Sequence, residues 1–153
     1  MPDKKISPYG SWVSPITAEL ITQGGLRLGE VRVDGTDIYW LEGRPEESGR
    51  HVVVRRTSDG SVTDINPTPF NARNAVHEYG GASFAVRDGV VYFANWDDQR
   101  IYSVAENSSP VTITAEPDID QGDRYADLIL SNDSNWILCV RERHFEEREA
   151  DNE

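Results

Sequence analysis

The stretch VRVDGTDIYWLE, residues 31–42, alternates apolar and polar residues, turns at Asp34 and Gly35, and resumes with Ile38, Tyr39, Trp40 and Leu41. A period of two marks a strand with one buried face, and Asp-Gly between two such runs marks a tight hairpin. The pattern returns as AVRDGVVYFANW, residues 85–96, and as LILSNDSNWILCVR, residues 128–141. Each reads as an outer strand, a tight turn and an aromatic-rich inner strand. The turn aspartates Asp34, Asp88 and Asp133 lie 54 and 45 residues apart, and the polar insert GRPEESG accounts for the longer interval.

Further strands fill the gaps. Residues 51–56 and 62–65 follow the first hairpin, and RIYSV and VTIT follow the second. Four short strands recurring every ~40–50 residues is the signature of propeller blades. A sandwich or jelly roll has short strands and turns but no restarting four-strand cycle. Regrouping of the strands into a compact sandwich remains the alternative. The expectation is all-β, a partial β-propeller of about two and a half four-stranded antiparallel blades with a short N-terminal helical turn. Residues 1–25 form an irregular segment in which Ser14 caps the short helix and Pro15 starts it. Residues 26–66 form the first blade, 67–116 the second with its preceding loop, 117–145 half of a third, and 146–153 a charged tail. Propellers close with about four to eight blades. The arc therefore exposes blade flanks and an unpaired edge at residues 136–141, and it belongs to a larger polypeptide or closes by association of copies.

Composition narrows the partners. Of 153 residues, 27 are Asp or Glu and 15 Lys or Arg, a formal charge of -12. Without clustered cations to displace counterions from phosphates, nucleic acid is excluded as a partner, and so is an anionic membrane surface. No apolar run is long enough to cross a bilayer, and no signal peptide is visible at the N-terminus. A single cysteine, Cys139, fits a reducing compartment, so a cytoplasmic location is expected.

Chemistry of the chain's own is sparse. Gly81-Ala82-Ser83-Phe84-Ala85 approaches G-x-S-x-G, but its last position is alanine and it opens a strand rather than a helix. His51, His77 and His144 are too dispersed for a zinc set. No catalytic residue, metal or cofactor is expected. Cys139 sits in an apolar strand as a small hydrophobe. Trp40, Tyr92 and Trp136 fall at matching inner-strand positions and suit packing between blades. The most suggestive string is HEYGG, residues 77–81, in the loop entering the second blade. Its architectural reading has Gly80 and Gly81 at positive φ or a bulge, Tyr79 packed between blades and His77 tying down a carbonyl. Its functional reading places a donor, an acceptor and an aromatic at the channel rim. The architectural reading is preferred.

YGSWVSPITAELI, DIYWLEGRPEESGRHVVVRR, VHEYGG and RYADLILSNDSNWILCVRERH together resemble the N-terminal propeller of prolyl oligopeptidase-type serine peptidases. The nearest branch is that of acylaminoacyl-peptidase and dipeptidyl aminopeptidase-like proteins. The resemblance implies a two-domain hydrolase whose propeller covers a C-terminal α/β-hydrolase domain and restricts which peptides reach its serine. Arg73, His77, Glu78 and Tyr79 are then the substrate-facing candidates, Arg73 and Glu78 matching residue types that related propellers use to hold a peptide. The implied partners are the α/β-hydrolase domain or subunit and, in the intact enzyme, a peptide. The other reading is a freestanding propeller-like interaction module that forms a homo-oligomer or docks on a partner; TolB-like and WD40-like describe the propeller in either case.

Overall fold

The computed structural model describes residues 6, 8–11, 13–18, 20 and 25–145. Ten strands form where the alternation predicts them: β1 Arg27–Asp34, β2 Asp37–Arg44, β3 Arg50–Arg56, β4 Val62–Asp64, β5 Phe84–Arg87, β6 Val90–Ala94, β7 Ile101–Val104, β8 Val111–Thr112, β9 Asp123–Leu130 and β10 Ile137–Arg143. They make antiparallel meanders in the orders β1-β2-β3-β4 and β5-β6-β7-β8, and a third pair, β9 with β10. Among the described residues only Ala18 and Leu20 are α-helical. The helical turn expected from Ser14 falls partly on Glu19 and residues 21–24, outside the described residues. What is described there is local capping: the Ile16 N–H donates to Ser14 Oγ at 3.0 Å and the Leu20 N–H to Thr17 Oγ1 at 3.1 Å.

The sheets stack side by side as blades. Between the first and second, Tyr39, Leu41 and Val53 meet Phe84, Val91, Phe93 and Val104 in one buried cluster. Between the second and third, Ala85 and Ile101 meet Leu128 and Leu130, flanked by Tyr92, Tyr125 and Ile137. The first strands pack on one another, β1 against β5 and β5 against β9. That contact corrects the expected order within each hairpin. The first strand of each is innermost, and the aromatic-rich second strand lies one step further out.

The aromatic register is also corrected. The turns close on Asp34 paired with Asp37 and on Arg87 paired with Val90. Tyr39 therefore matches Tyr92, and Trp40 matches Phe93. Tyr39 and Tyr92 face the following blade, whereas Phe93 faces the preceding one. Trp136 precedes β10 and is 71% exposed, so it packs between no blades here. The flanks left open are apolar: Leu28, Val31 and Val33 on the first blade, Ile129, Leu138 and Val140 on the third.

Carboxylates link neighbouring inner strands. Glu30 sits at a bulge in β1 with φ 49° and accepts from the Ser83 N–H at 2.8 Å. Asp127 sits at a bulge in β9 with φ 57° and accepts from the Ala82 N–H at 2.9 Å. At the hairpin tips Asp34 accepts from the Gly89 N–H at 2.7 Å, and the Arg87 guanidinium donates to the Ser131 carbonyl. Carboxylate acceptors on main-chain amides are among the stronger protein hydrogen bonds. They hold each inner strand at a fixed offset from the next.

Candidate functional site

The loop between β4 and β5 is built from amide side chains. Asn66, fully buried, accepts from the Val53 N–H at 2.7 Å and donates to the His51 and Phe70 carbonyls at 3.1 and 2.9 Å. Asn71 takes the His51 N–H at 2.9 Å. Asn95 takes the Asn71 N–H at 3.0 Å, and buried Gln99 takes the Ala75 N–H at 2.8 Å. A proline-interrupted segment with no sheet of its own is thereby stitched to both blades.

Asn74 closes the HEYGG turn. Its side-chain oxygen accepts from the Gly81 N–H at 2.9 Å and its nitrogen donates to the Gly81 carbonyl at 3.0 Å, so one amide side chain stands in for a strand partner. The chain between them turns tightly, with the Gly80 N–H donating to the Val76 carbonyl at 2.9 Å. His77 and Glu78 take left-handed conformations at φ 53° and 66°, and Gly80 takes φ 78°. A Cβ on Gly80 would sit 2.8 Å from the Asn74 carbonyl oxygen, so glycine is required there for space as well as for conformation.

Two polar arms from the third blade hold the turn. Buried Arg124 donates through Nη1 to the Ala75 carbonyl at 3.1 Å and to Glu78 Oε1 at 2.8 Å. Glu142 on β10 accepts from the His77 N–H at 2.5 Å, and that bond holds its carboxyl below the ordinary glutamate range. His144 Nε2 lies 3.0 Å from the same carboxylate. The expected tie from the His77 ring to a loop carbonyl is replaced by this main-chain bond, and the ring is exposed.

The four candidates therefore divide. His77 and Glu78 face the third blade. Arg73 and Tyr79 line a cavity of about 450 Å³ at the seam of the first two blades, together with Arg27, Glu30, His51 and Ser83. The Arg73 guanidinium stacks over the Trp96 ring at 4.2 Å. Tyr79 does not pack between blades as expected but is 95% exposed at the cavity mouth. Ser83 is buried, its Oγ 3.4 Å from both Asn74 Nδ2 and the Gly81 carbonyl, and so serves the turn. Cys139 is exposed rather than enclosed, with burial still pushing its thiol up.

Arg27, Glu30 and His51 carried no local signal for this cavity. They arrive from β1 and β3 and meet Arg73 only when the blades stack. Burial drives the Glu30 carboxyl up against the opposing pull of the Ser83 and Phe84 amides. Burial, with the Arg73 and Arg27 charges adding, pushes the His51 imidazole down.

No protein-family model and no curated protein matches the chain. Solved structures do. A Mycobacterium tuberculosis puromycin-hydrolyzing peptidase is 40% identical with a TM-score of 0.82, over 90% of this chain and 22% of that one. A puromycin hydrolase is 34% identical with a TM-score of 0.77, over 90% and 22%. A puromycin hydrolase mutant complexed with PGG is 34% identical with a TM-score of 0.72, over 83% and 21%. The chain spans about a fifth of the length of these proteins. Sharing its fold with them at that identity, it belongs to the prolyl oligopeptidase-type serine peptidases, as a portion of their β-propeller.

Proposed function

We propose that these blades form part of the gate of a serine peptidase, selecting substrates for an α/β-hydrolase domain that these residues do not include. The observation that carries the reading is the seam cavity. It opens beside the turn that enters an inner strand, and it presents Arg73 and the exposed Tyr79 outward. Loops at that end of an inner strand border the channel of a closed propeller. In this reading Arg73 and Tyr79 touch the substrate, while His77 and Glu78 set the shape of the turn on which Tyr79 stands. The solved relatives are named for puromycin hydrolysis, which supports small aminoacyl or peptide-like substrates for the intact protein. The acylaminoacyl-peptidase and dipeptidyl aminopeptidase-like branch is the proposed placement. A cytoplasmic setting belongs to the same reading, supported by the single cysteine. Blades 26–66 and 67–116 and the half-blade 117–145 are proposed as its units.

The acyl-transfer step requires a nucleophile, a base and an oxyanion site. The chain alone is expected to leave chromogenic aminoacyl and acyl-peptide substrates unhydrolysed and to take up no serine-directed fluorophosphonate label. Labelling of this polypeptide at a serine would place chemistry in the blades themselves and end the gate reading.

One observation favours a second role as a self-assembling module. The open flanks carry Leu28, Val31 and Val33 on one side and Ile129, Leu138 and Val140 on the other. Apolar patches of this kind are characteristic of contact surfaces. In that case light scattering shows a mass that rises with concentration, and a constant monomer mass removes this role.

A further inference from the structure

We infer that the seam cavity between the first two blades is a carboxylate-binding site, with Arg27 and Arg73 as the cationic arms. Six arginines among the described residues, Arg44, Arg50, Arg55, Arg124, Arg141 and Arg143, lie within salt-bridge distance of a carboxylate. Arg32, Arg56, Arg87 and Arg100 also lack one among the described residues, but Arg87 and Arg100 donate to main-chain carbonyls and Arg32 lies over the Phe84 ring. Arg27 and Arg73 are likewise without a carboxylate there. Both line the same cavity, and both charges bear on the His51 ring within it.

His51 lines the same cavity, with Nε2 and Cδ2 beside Gly43 and its unpartnered Nδ1 turned into the interior, away from any ligand. The one acid in the cavity, Glu30, is engaged by the Ser83 N–H at 2.8 Å. Stacking on Trp96 fixes the plane of the Arg73 fork in advance, which lowers the entropy lost when an anion is gripped.

The rest of the lining favours an organic acid over a bare inorganic anion. Leu41, Pro45 and Tyr79 supply apolar surface for the body of a ligand, and about 450 Å³ falls in the size range of small-molecule sites. A carboxylate is flat and accepts both N–H groups of a guanidinium fork, which suits two such forks better than a single point contact. It can come from the end of a peptide or from an acidic side chain.

The inference rests on the cavity being a ligand-facing surface, as in the gate reading, but its test does not use turnover. Calorimetry on the full chain compares N-acetylglycylglycine, its C-terminal amide, and N-acetylaspartic acid with both backbone ends blocked. At least one of the acids is expected to bind ten times or more tighter than the amide, and the tighter of the two names the source of the carboxylate. Arg73→Gln and Arg27→Gln should each weaken the acid about tenfold, as expected for loss of a charge-assisted hydrogen bond. Arg27 is exposed at the start of β1, so Arg27→Gln keeps the fold even if Arg73→Gln disturbs the Trp96 stack. Acid and amide of equal affinity, absence of binding by both acids, or an Arg27→Gln protein of native circular dichroism that binds unchanged would each overturn the inference. Catalytic silence of the chain leaves it untouched.

Discussion

Phe93→Ala is expected to lower the free energy of unfolding by about 3–5 kcal/mol, the usual range for truncating a fully buried phenylalanine. Its ring has no exposed surface and lies on the second blade's face toward the first. It stacks on Tyr102 with centroids 5.8 Å apart and meets Phe70 edge-on at 6.0 Å. The three rings join β6, β7 and the connecting loop, so the gap left by alanine cannot be refilled from one element. A domain of this size is stable by only about 5–15 kcal/mol, so the loss is a large share of the total. Urea denaturation should show the midpoint fall with an unchanged slope. Trp136→Ala provides the contrast. That larger ring is mostly exposed, and its removal should change stability by less than about 0.5 kcal/mol. If Trp136→Ala costs more than Phe93→Ala, the blade packing described here is wrong.

Asn66→Ala should cost about 3 kcal/mol through a different route, taking roughly 1 kcal/mol for each of three hydrogen bonds. The substitution leaves the Val53 N–H and the carbonyls of His51 and Phe70 to find new partners. Val53 is fully buried, so no water reaches its amide without opening the seam. The effect should extend beyond stability. The same carbonyls fix the path of the chain to Arg73, so amide hydrogen exchange at Ala72 and Ala75 should accelerate along with that at Val53. Protection at those amides equal to wild type would show that the loop is held by packing and that the Asn66 network is incidental.

The hairpins were legible because their signals are local. Asp-Gly with alternating neighbours set β1–β2 and β5–β6 almost to the residue, and the polar SNDSN did the same for β9–β10. What lay beyond the sequence was every property decided by a neighbouring blade. Which strand is innermost depends on β1 meeting β5, a contact that no window of residues contains. Trp40 and Tyr39 alternate whichever side is covered, and only the register across β1 and β2 shows that Tyr39 enters the seam. Left-handed Glu30 and Asp127 are ordinary residues in strand-like sequence; Gly29 borders the first bulge without itself taking the left-handed conformation, and no glycine marks the second. HEYGG was placed correctly as the loop entering β5, and the need for glycine at position 80 was visible in outline. The turn's dependence on Arg124 and Glu142 was not, because those partners stand 46 and 65 residues away.

Glu30 and Asp127 reach across to main-chain amides, and this separates two jobs that an oily interface would have to do at once. The angle from one blade to its neighbour is indexed by polar teeth engaging backbone, which is the same whatever side chains surround it. Filling of the wedge beyond them falls to Tyr39, Phe84 and Phe93. Drift in those hydrophobes can therefore proceed by trading volume while the pitch of the arc stays constant, whereas loss of either acid would let adjacent blades slide without leaving any hole.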